Sequence, residues 1–259
     1  MPASTSASIT PPGTISQANF DTYSNDWITV VGKDDSTELS ECFRLDGATE
    51  NIKCVYFSAL QVAQLVSTVG AQNIKARFLI ERQDIDGYSY PHFAIALFAT
   101  DDLNGRLSAY YVSQPYWLLD GDESENTPLL DVYKPVLLPD ALATYWQNNW
   151  SPTGLDPLAT QEMFDSTYGY LRGYTFELDD FLKPLMQIPP KMLIQQAAPI
   201  RINFGLHQYY PATPNADGTP NNTFGLLVSY SGYPENTEQN PIDDEEVFYD
   251  LGSPCPPKC

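Results

Sequence analysis

Positive charge is scarce in this chain. The 13 Lys and Arg stand against 33 Asp and Glu, a formal net charge of −20 at pH 7. A field of that sign repels phosphate backbones and anionic lipid surfaces, which excludes ordinary nucleic-acid binding and attachment to an acidic membrane. No apolar run reaches the roughly 18–20 residues of a membrane span. The opening Met1-Pro-Ala-Ser-Thr-Ser-Ala-Ser8 has neither the basic nor the apolar segment of a signal peptide, so the expected address is the cytoplasm. Histidine is nearly missing, with two residues, and cysteine is sparse, with four. Cys42, Cys54, Cys255 and Cys259 are too few to staple a chain of this length and are expected as free thiols. The sequence contains no G-x-G-x-x-G, P-loop, H-E-x-x-H or G-x-S-x-G pattern, which removes the motif-bearing nucleotide, zinc-protease and hydrolase classes.

Aromatic residues make up 13 % of the 259 residues, with 17 Tyr, and there are 22 Pro. The aromatics argue against wholesale disorder, and the prolines point to many irregular connections. Residues 1–14 read as a disordered tail. Ser16 caps a short helix carrying Phe20, Tyr23 and Trp27, followed by a strand at Ile28–Gly32, a loop from Lys33 to Glu41, and short strands at Cys42–Leu45 and Lys53–Phe57. Ser58 opens a helix whose buried stripe is Val62, Leu65, Val66 and Val69, stopped by Gly70. Ile74–Ile80 and His92–Phe98 form a long hairpin round a turn at Asp84–Gly87 and an aromatic loop at Tyr88–Pro91, and Arg106–Val112 and Tyr116–Leu119 add strands. Asp140 starts a short helix with Leu142, Tyr145 and Trp146, and Ser151–Pro157 is the clearest linker.

Beyond that linker the order repeats. Thr160–Phe164 with Tyr168 echoes Ser16–Phe20 with Tyr23. Tyr174–Phe176 and a helix that Pro184 kinks or ends echo Tyr56–Ser58 and its helix. Ile200–Phe204 echoes Ile74–Phe78, and Phe224–Val228 echoes Phe93–Leu97. The expected fold is therefore α+β, in two tandem related halves spanning 15–150 and 151–259, each with helices packed on an antiparallel sheet built round a long hairpin.

Ile200-Arg-Ile-Asn-Phe-Gly205, Thr223–Val228, the helix-opening Tyr56-Phe57-Ser58 and the closing Cys255-Pro-Pro-Lys-Cys259 carry a resemblance. The chain is similar to a group of small bacterial proteins that share an aromatic-Ser helix start, an I-R-I-x-F-G strand and a terminal C-P-P-x-C. The resemblance implies no activity, cofactor or catalytic residue.

Three sets of residues are chemical candidates. Cys255 and Cys259, stiffened by two prolines, are spaced to present two thiolates to a soft metal such as zinc, to form a disulfide, or to remain free. A structural zinc site would need Cys42, Cys54, His92 or His207 as further ligands. Tyr88, Tyr90 and His92 in one hairpin, and His207, Tyr209 and Tyr210 in the other, form aromatic, Pro-bearing segments suited either to rigid contacts with a partner at low entropic cost or to packing across the cleft between the halves. Either histidine is a ligand or base, paired across a symmetry axis, or a plain strand-end residue. Asp84-x-Asp86-Gly87 begins like a calcium loop but has Ile95 where the loop needs Glu. The acidic runs Asp120–Glu125 and Asp243–Glu246 read as solvated loops or loose calcium sites. The favoured function is a non-enzymatic binding or assembly protein engaging a protein partner or itself through the Tyr-rich segments. The alternatives are an acidic DNA mimic and a metal- or redox-linked protein using the C-terminal Cys pair. The lack of motifs lowers the case for an enzyme without excluding one.

Overall fold

The computed structural model describes residues 13–44, 51–85, 88–114, 140–152, 158–166, 168–186, 199–209, 218–230, 248–249 and 253–254. The elements run β1 (Thr14–Ile15), α1 (Gln17–Val31), α2 (Thr37–Cys42), β2 (Cys54–Ser58), α3 (Ala59–Val66), β3 (Asn73–Ile85), β4 (Tyr88–Thr100), β5 (Tyr110–Val112) and α4 (Asp140–Trp150), then a 3-10 turn (Gln161–Phe164). After the turn come β6 (Gly173–Glu177), α5 (Leu178–Leu185), β7 (Pro199–Tyr209), β8 (Asn221–Tyr230), β9 (Phe248–Tyr249) and β10 (Ser253–Pro254). The fold is α+β with antiparallel sheets: one in the order β1-β5-β4-β3-β6-β10, the other β2-β7-β8-β9.

Strand alternation sets the layers. Ile74, Ala76, Phe78 and Ile80 of β3 and Phe93, Ile95, Leu97 and Ala99 of β4 share one buried cluster with Ile200, Ile202, Phe204 and Leu206 of β7 and Phe224, Leu226 and Val228 of β8. The two sheets therefore pack face to face. Aromatic rings fill the centre. Phe93 meets Phe204 at 5.4 Å and Phe224 at 6.0 Å, both near edge-on, the arrangement ring quadrupoles favour. On its other side the six-stranded sheet carries Leu79, Ala94, Ala96, Phe98, Tyr110 and Val112 beneath Ile15, Phe20 and Tyr23. The corresponding side of the four-stranded sheet carries Leu227 beneath Ala143 and Trp146 of α4. One seam between the sheets is joined by the Tyr56–Gln114 bridge, and the Tyr174 hydroxyl donates to the Phe224 carbonyl at the other.

Neither sheet is built from one half of the chain. β2 precedes the β3–β4 hairpin but pairs with β7, Ser58 opposite Pro199 and Cys54 opposite Asn203. β6 precedes the β7–β8 hairpin but pairs with β3, Glu177 opposite Asn73 and Gly173 opposite Arg77. In both cases the last residue of a five-residue strand meets the first residue of the other half's hairpin. The bonds that brace these crossings also occur twice. The Trp27 indole N–H donates to Leu171 O and the Trp150 indole N–H to Ile52 O, each at 2.8 Å. Leu171 N–H donates to Phe164 O and Ile52 N–H to Phe43 O, each at 2.7 Å. Phe78 N–H donates to Arg172 O, and Phe204 N–H to Lys53 O. Phe43 and Phe164 stack on one another at 5.6 Å. Gly173 has φ +144°, and a Cβ there would sit 1.9 Å from the Ala76 carbonyl oxygen, so only glycine lets β6 come this close to β3.

Several local expectations are corrected. Ile28–Val31 is not a strand but the last turn of α1. Helix propensity costs a β-branched residue only a few tenths of a kcal/mol, and burial of Trp27, Val30 and Val31 on one stripe outweighs it. The Lys33–Glu41 segment contains α2, and Cys42 ends that helix rather than starting a strand. Ser58 does open α3, through a capping box with Gln61, but the helix stops at Val66 and Val69 is 93 % exposed. Thr160–Phe164 forms a single 3-10 turn, no match for the four turns of α1. α5 runs through Pro184 and ends one residue later, at Leu185. Tyr116–Leu119 lies outside the described residues.

Candidate binding surface at the hairpin ends

The two Tyr/His segments sit at the ends of different sheets. In β4, Tyr88, Tyr90 and His92 lie opposite Ile85, Gln83 and Glu81 of β3. In β7, His207 and Tyr209 lie opposite Thr223 and Asn221 of β8. Because Phe93 and Phe204 point into the shared core, alternation turns His92 and His207 to the outward sides of their own sheets. They occupy unlike places as well: His207 is the ninth residue of β7, and the ninth residue of β3 is Glu81. A pair of histidines across a symmetry axis is therefore not what this fold makes. Glu81, opposite His92, has its carboxyl pKa raised by burial.

The surroundings of His207 are the more elaborate. Its ring lies flat on Trp146 of α4, centroids 3.9 Å apart and planes 13° from parallel. Gly205 and Gly225 are directly opposite one another on the same side of the sheet. A Cβ at Gly225 would come within 2.3 Å of His207 Nε2, and one at Gly205 within 3.0 Å of Trp146 Cβ. The facing glycines thus cut a notch in the sheet, and the His207–Trp146 stack fills it. His207 Nε2 is enclosed without a hydrogen-bond partner. Burial pushes the imidazole pKa down to about 4, so the ring is neutral at physiological pH.

This stack fixes the angle of α4 and what the helix shows to solvent. Ala143 is buried with Leu227, and the Asn149 side-chain amide donates to Leu206 O at 3.3 Å. The Tyr145 hydroxyl donates to the Gln208 side-chain oxygen, tying the exposed side of α4 to the end of β7. Asn221 in turn donates to the Tyr209 hydroxyl at 3.4 Å. Three large side chains are left facing water on this junction: Leu142 at 38 %, Tyr145 at 48 % and Tyr209 at 48 % exposure. Tyr90, on the other hairpin, is 37 % exposed.

Sequence reasoning singled out His207 and Tyr209 but missed α4 as their neighbour, together with the glycine notch. The available signal was a glycine inside each of two strand patterns, Gly205 and Gly225. Tyr210, Cys255, Cys259 and the runs 120–125 and 243–246 lie outside the described residues. Cys42 and Cys54 are buried and are not joined in a disulfide. Burial pushes the Cys42 thiol up to about 12, with Glu38 reinforcing the shift, so it is unreactive. Among the described residues no group of three or more His, Cys, Asp or Glu is placed to hold a metal ion, and no helix is long and apolar enough to cross a membrane.

The chain matches no protein-family model, and no curated protein or solved structure is significantly similar to it. The reading of its role rests on its own geometry.

Proposed function

We propose that the protein is a non-enzymatic binding protein that docks a basic protein partner on the α4–β7 junction. One observation carries this: Leu142, Tyr145 and Tyr209 are exposed together on a surface that the His207–Trp146 stack and the Tyr145–Gln208 bond hold rigid. Braced tyrosines contribute large amphipathic contact area with little rotamer entropy to lose, which is the chemistry of a binding surface. The net charge of −20 makes a positively charged partner the complementary one.

The test is co-purification with the full chain against two variants. Tyr145→Ser with Tyr209→Ser should abolish recovery of the bound protein, while Tyr168→Ser, at a tyrosine 72 % exposed elsewhere, should leave recovery intact. A partner held equally by all three chains sinks the proposal. Sedimentation of the purified protein tests whether the occupant is a second copy.

The twofold occurrence of the crossing also supports descent from a duplicated unit whose halves exchanged their first strands. On this reading α4, not the Thr160–Phe164 turn, is the counterpart of α1, since Trp150 and Trp27 make the same bond.

A further inference from the structure

The turn leading from β4 towards β5 is built on a chemically labile dipeptide. Asn104-Gly105 is the only Asn-Gly in the chain. Asn104 is exposed and has φ +67°, a left-handed conformation that asparagine tolerates better than most residues. The turn is closed by its own backbone: Asn104 N–H donates to Asp101 O at 3.2 Å, Asp101 N–H to Gly105 O at 3.1 Å, and Leu107 N–H to Ala99 O at 2.9 Å.

The Asp101 side chain folds over this turn. Its Oδ1 accepts Leu103 N–H at 3.0 Å and Gly105 N–H at 2.6 Å. A Cβ at position 105 would lie 2.8 Å from Asp101 Oδ2, so a side chain there would push the carboxylate away. The turn thus needs a residue that accepts φ > 0, followed by one with no Cβ. Together these set a carboxamide beside an unhindered backbone nitrogen. In such a pair the Gly105 nitrogen can lose its proton and attack Asn104 Cγ. The new N–Cγ bond forms, the bond from Cγ to the side-chain nitrogen breaks, and ammonia leaves with the proton. Water then opens the cyclic imide to aspartate or isoaspartate.

In the closed turn that attack is opposed at its first step. The Gly105 proton is engaged in a short, charge-assisted hydrogen bond, and the neighbouring negative charge disfavours an amide anion. We propose that Asn104 is a deamidation site which Asp101 protects, so that conversion proceeds only through the opened turn. Conversion adds one negative charge and, as isoaspartate, lengthens the main chain by one carbon. Both fall between the Thr100–Arg106 bridge and β5, whose Tyr110 stacks on Phe20 of α1 at 3.8 Å. The modified turn therefore loosens the cover on the outward side of the six-stranded sheet.

The experiment incubates the full chain at mildly alkaline pH and maps residue 104 by peptide mass and isoaspartate analysis. Wild type is followed folded and in urea, and Asp101→Ala is followed folded. Folded wild type should convert at least about tenfold more slowly than the unfolded chain, and Asp101→Ala should regain roughly tenfold of the rate, the order expected for one hydrogen bond to a charged acceptor. Equal rates in folded and unfolded wild type overturn the proposal, as does a folded Asp101→Ala no faster than wild type. Should Asp101→Ala fail to fold, hydrogen exchange of wild type decides. The Gly105 amide should be slowed at least as much as deamidation, and exchange at the unfolded rate overturns the protection.

Discussion

Lowering the pH should cost this protein stability through one identifiable side chain. His207 is held neutral by burial in the notch, with a folded pKa of about 4 against the usual 6.5. On acidification the unfolded chain takes up a proton at this histidine near pH 6.5, while the folded chain does so only near pH 4. The stability that the neutral ring confers is therefore fully present above about pH 7 and is lost progressively as pH falls towards 4. At 1.36 kcal/mol per pH unit the gap corresponds to at most about 3.4 kcal/mol, and solvent screening of a partly exposed ring reduces this to about 2 kcal/mol. The many carboxylates also titrate here, and relief of self-repulsion acts in the opposite direction, so the measurement must be a difference. Urea unfolding of wild type and His207→Phe at half-unit steps from pH 7.5 to 4 isolates it, because phenylalanine can keep the stack on Trp146 but cannot ionise. The variant should gain about 2 kcal/mol relative to wild type across that range. With only two histidines, imidazole proton shifts give the same pKa directly, His92→Gln making the assignment. A flat difference curve, or a His207 midpoint near 6.5, refutes the buried neutral ring.

Two further outcomes test the crossing of the strands. Gly173→Ala should destabilise by about 3 kcal/mol or more in urea titrations, since its Cβ would meet the Ala76 carbonyl at 1.9 Å in a backbone that disfavours side chains; a loss below about 1 kcal/mol contradicts that close approach. Trp27→Phe and Trp150→Phe each remove an indole N–H from a buried carbonyl and some packing, so each should lose about 2–3 kcal/mol by the same assay, and a neutral effect at either refutes the matched bracing.

What was legible in the sequence was local. The β3–β4 and β7–β8 hairpins followed from alternation, and α3 from Ser58 and its buried stripe, because those signals lie within a dozen residues. The same periodicity misassigned Ile28–Val31, where a β-branched run reads as strand unless the partners of Trp27 are known. The pairing of β2 with β7 and of β6 with β3 was out of reach. Alternation says that Cys54–Ser58 is a strand and which side is buried, but carries nothing about whether its partner is β3 or β7. The candidate surface was half visible for the same reason: Tyr209 and His207 stand out in their strand, whereas their contact with α4 depends on packing between segments far apart in sequence.

Differences between matched positions are where function is best sought in a fold braced this way. The bonds of Trp27 and Trp150, of Phe43 and Phe164, and of Phe78 and Phe204 are the same in both crossings, and their work is to hold two sheets against one core. The outward sides, which do not serve that core, differ instead. Where the four-stranded sheet has Gly205, Gly225 and His207 under Trp146, the six-stranded sheet has Leu79, Ala94 and Glu81. Where the one lays Arg201 on Tyr56, the other leaves Lys75 beside Thr175. The His207 and Glu81 positions both carry a burial penalty, but of different kinds: His207 keeps an enclosed, unpaired imidazole nitrogen, and burial disfavours the charged form of the Glu81 carboxyl group. On the reading proposed above, the work of the His207–Trp146 stack and the Tyr145–Gln208 bond is to fix how Tyr145 and Tyr209 are presented, a use of the outward side that the core-facing contacts do not share.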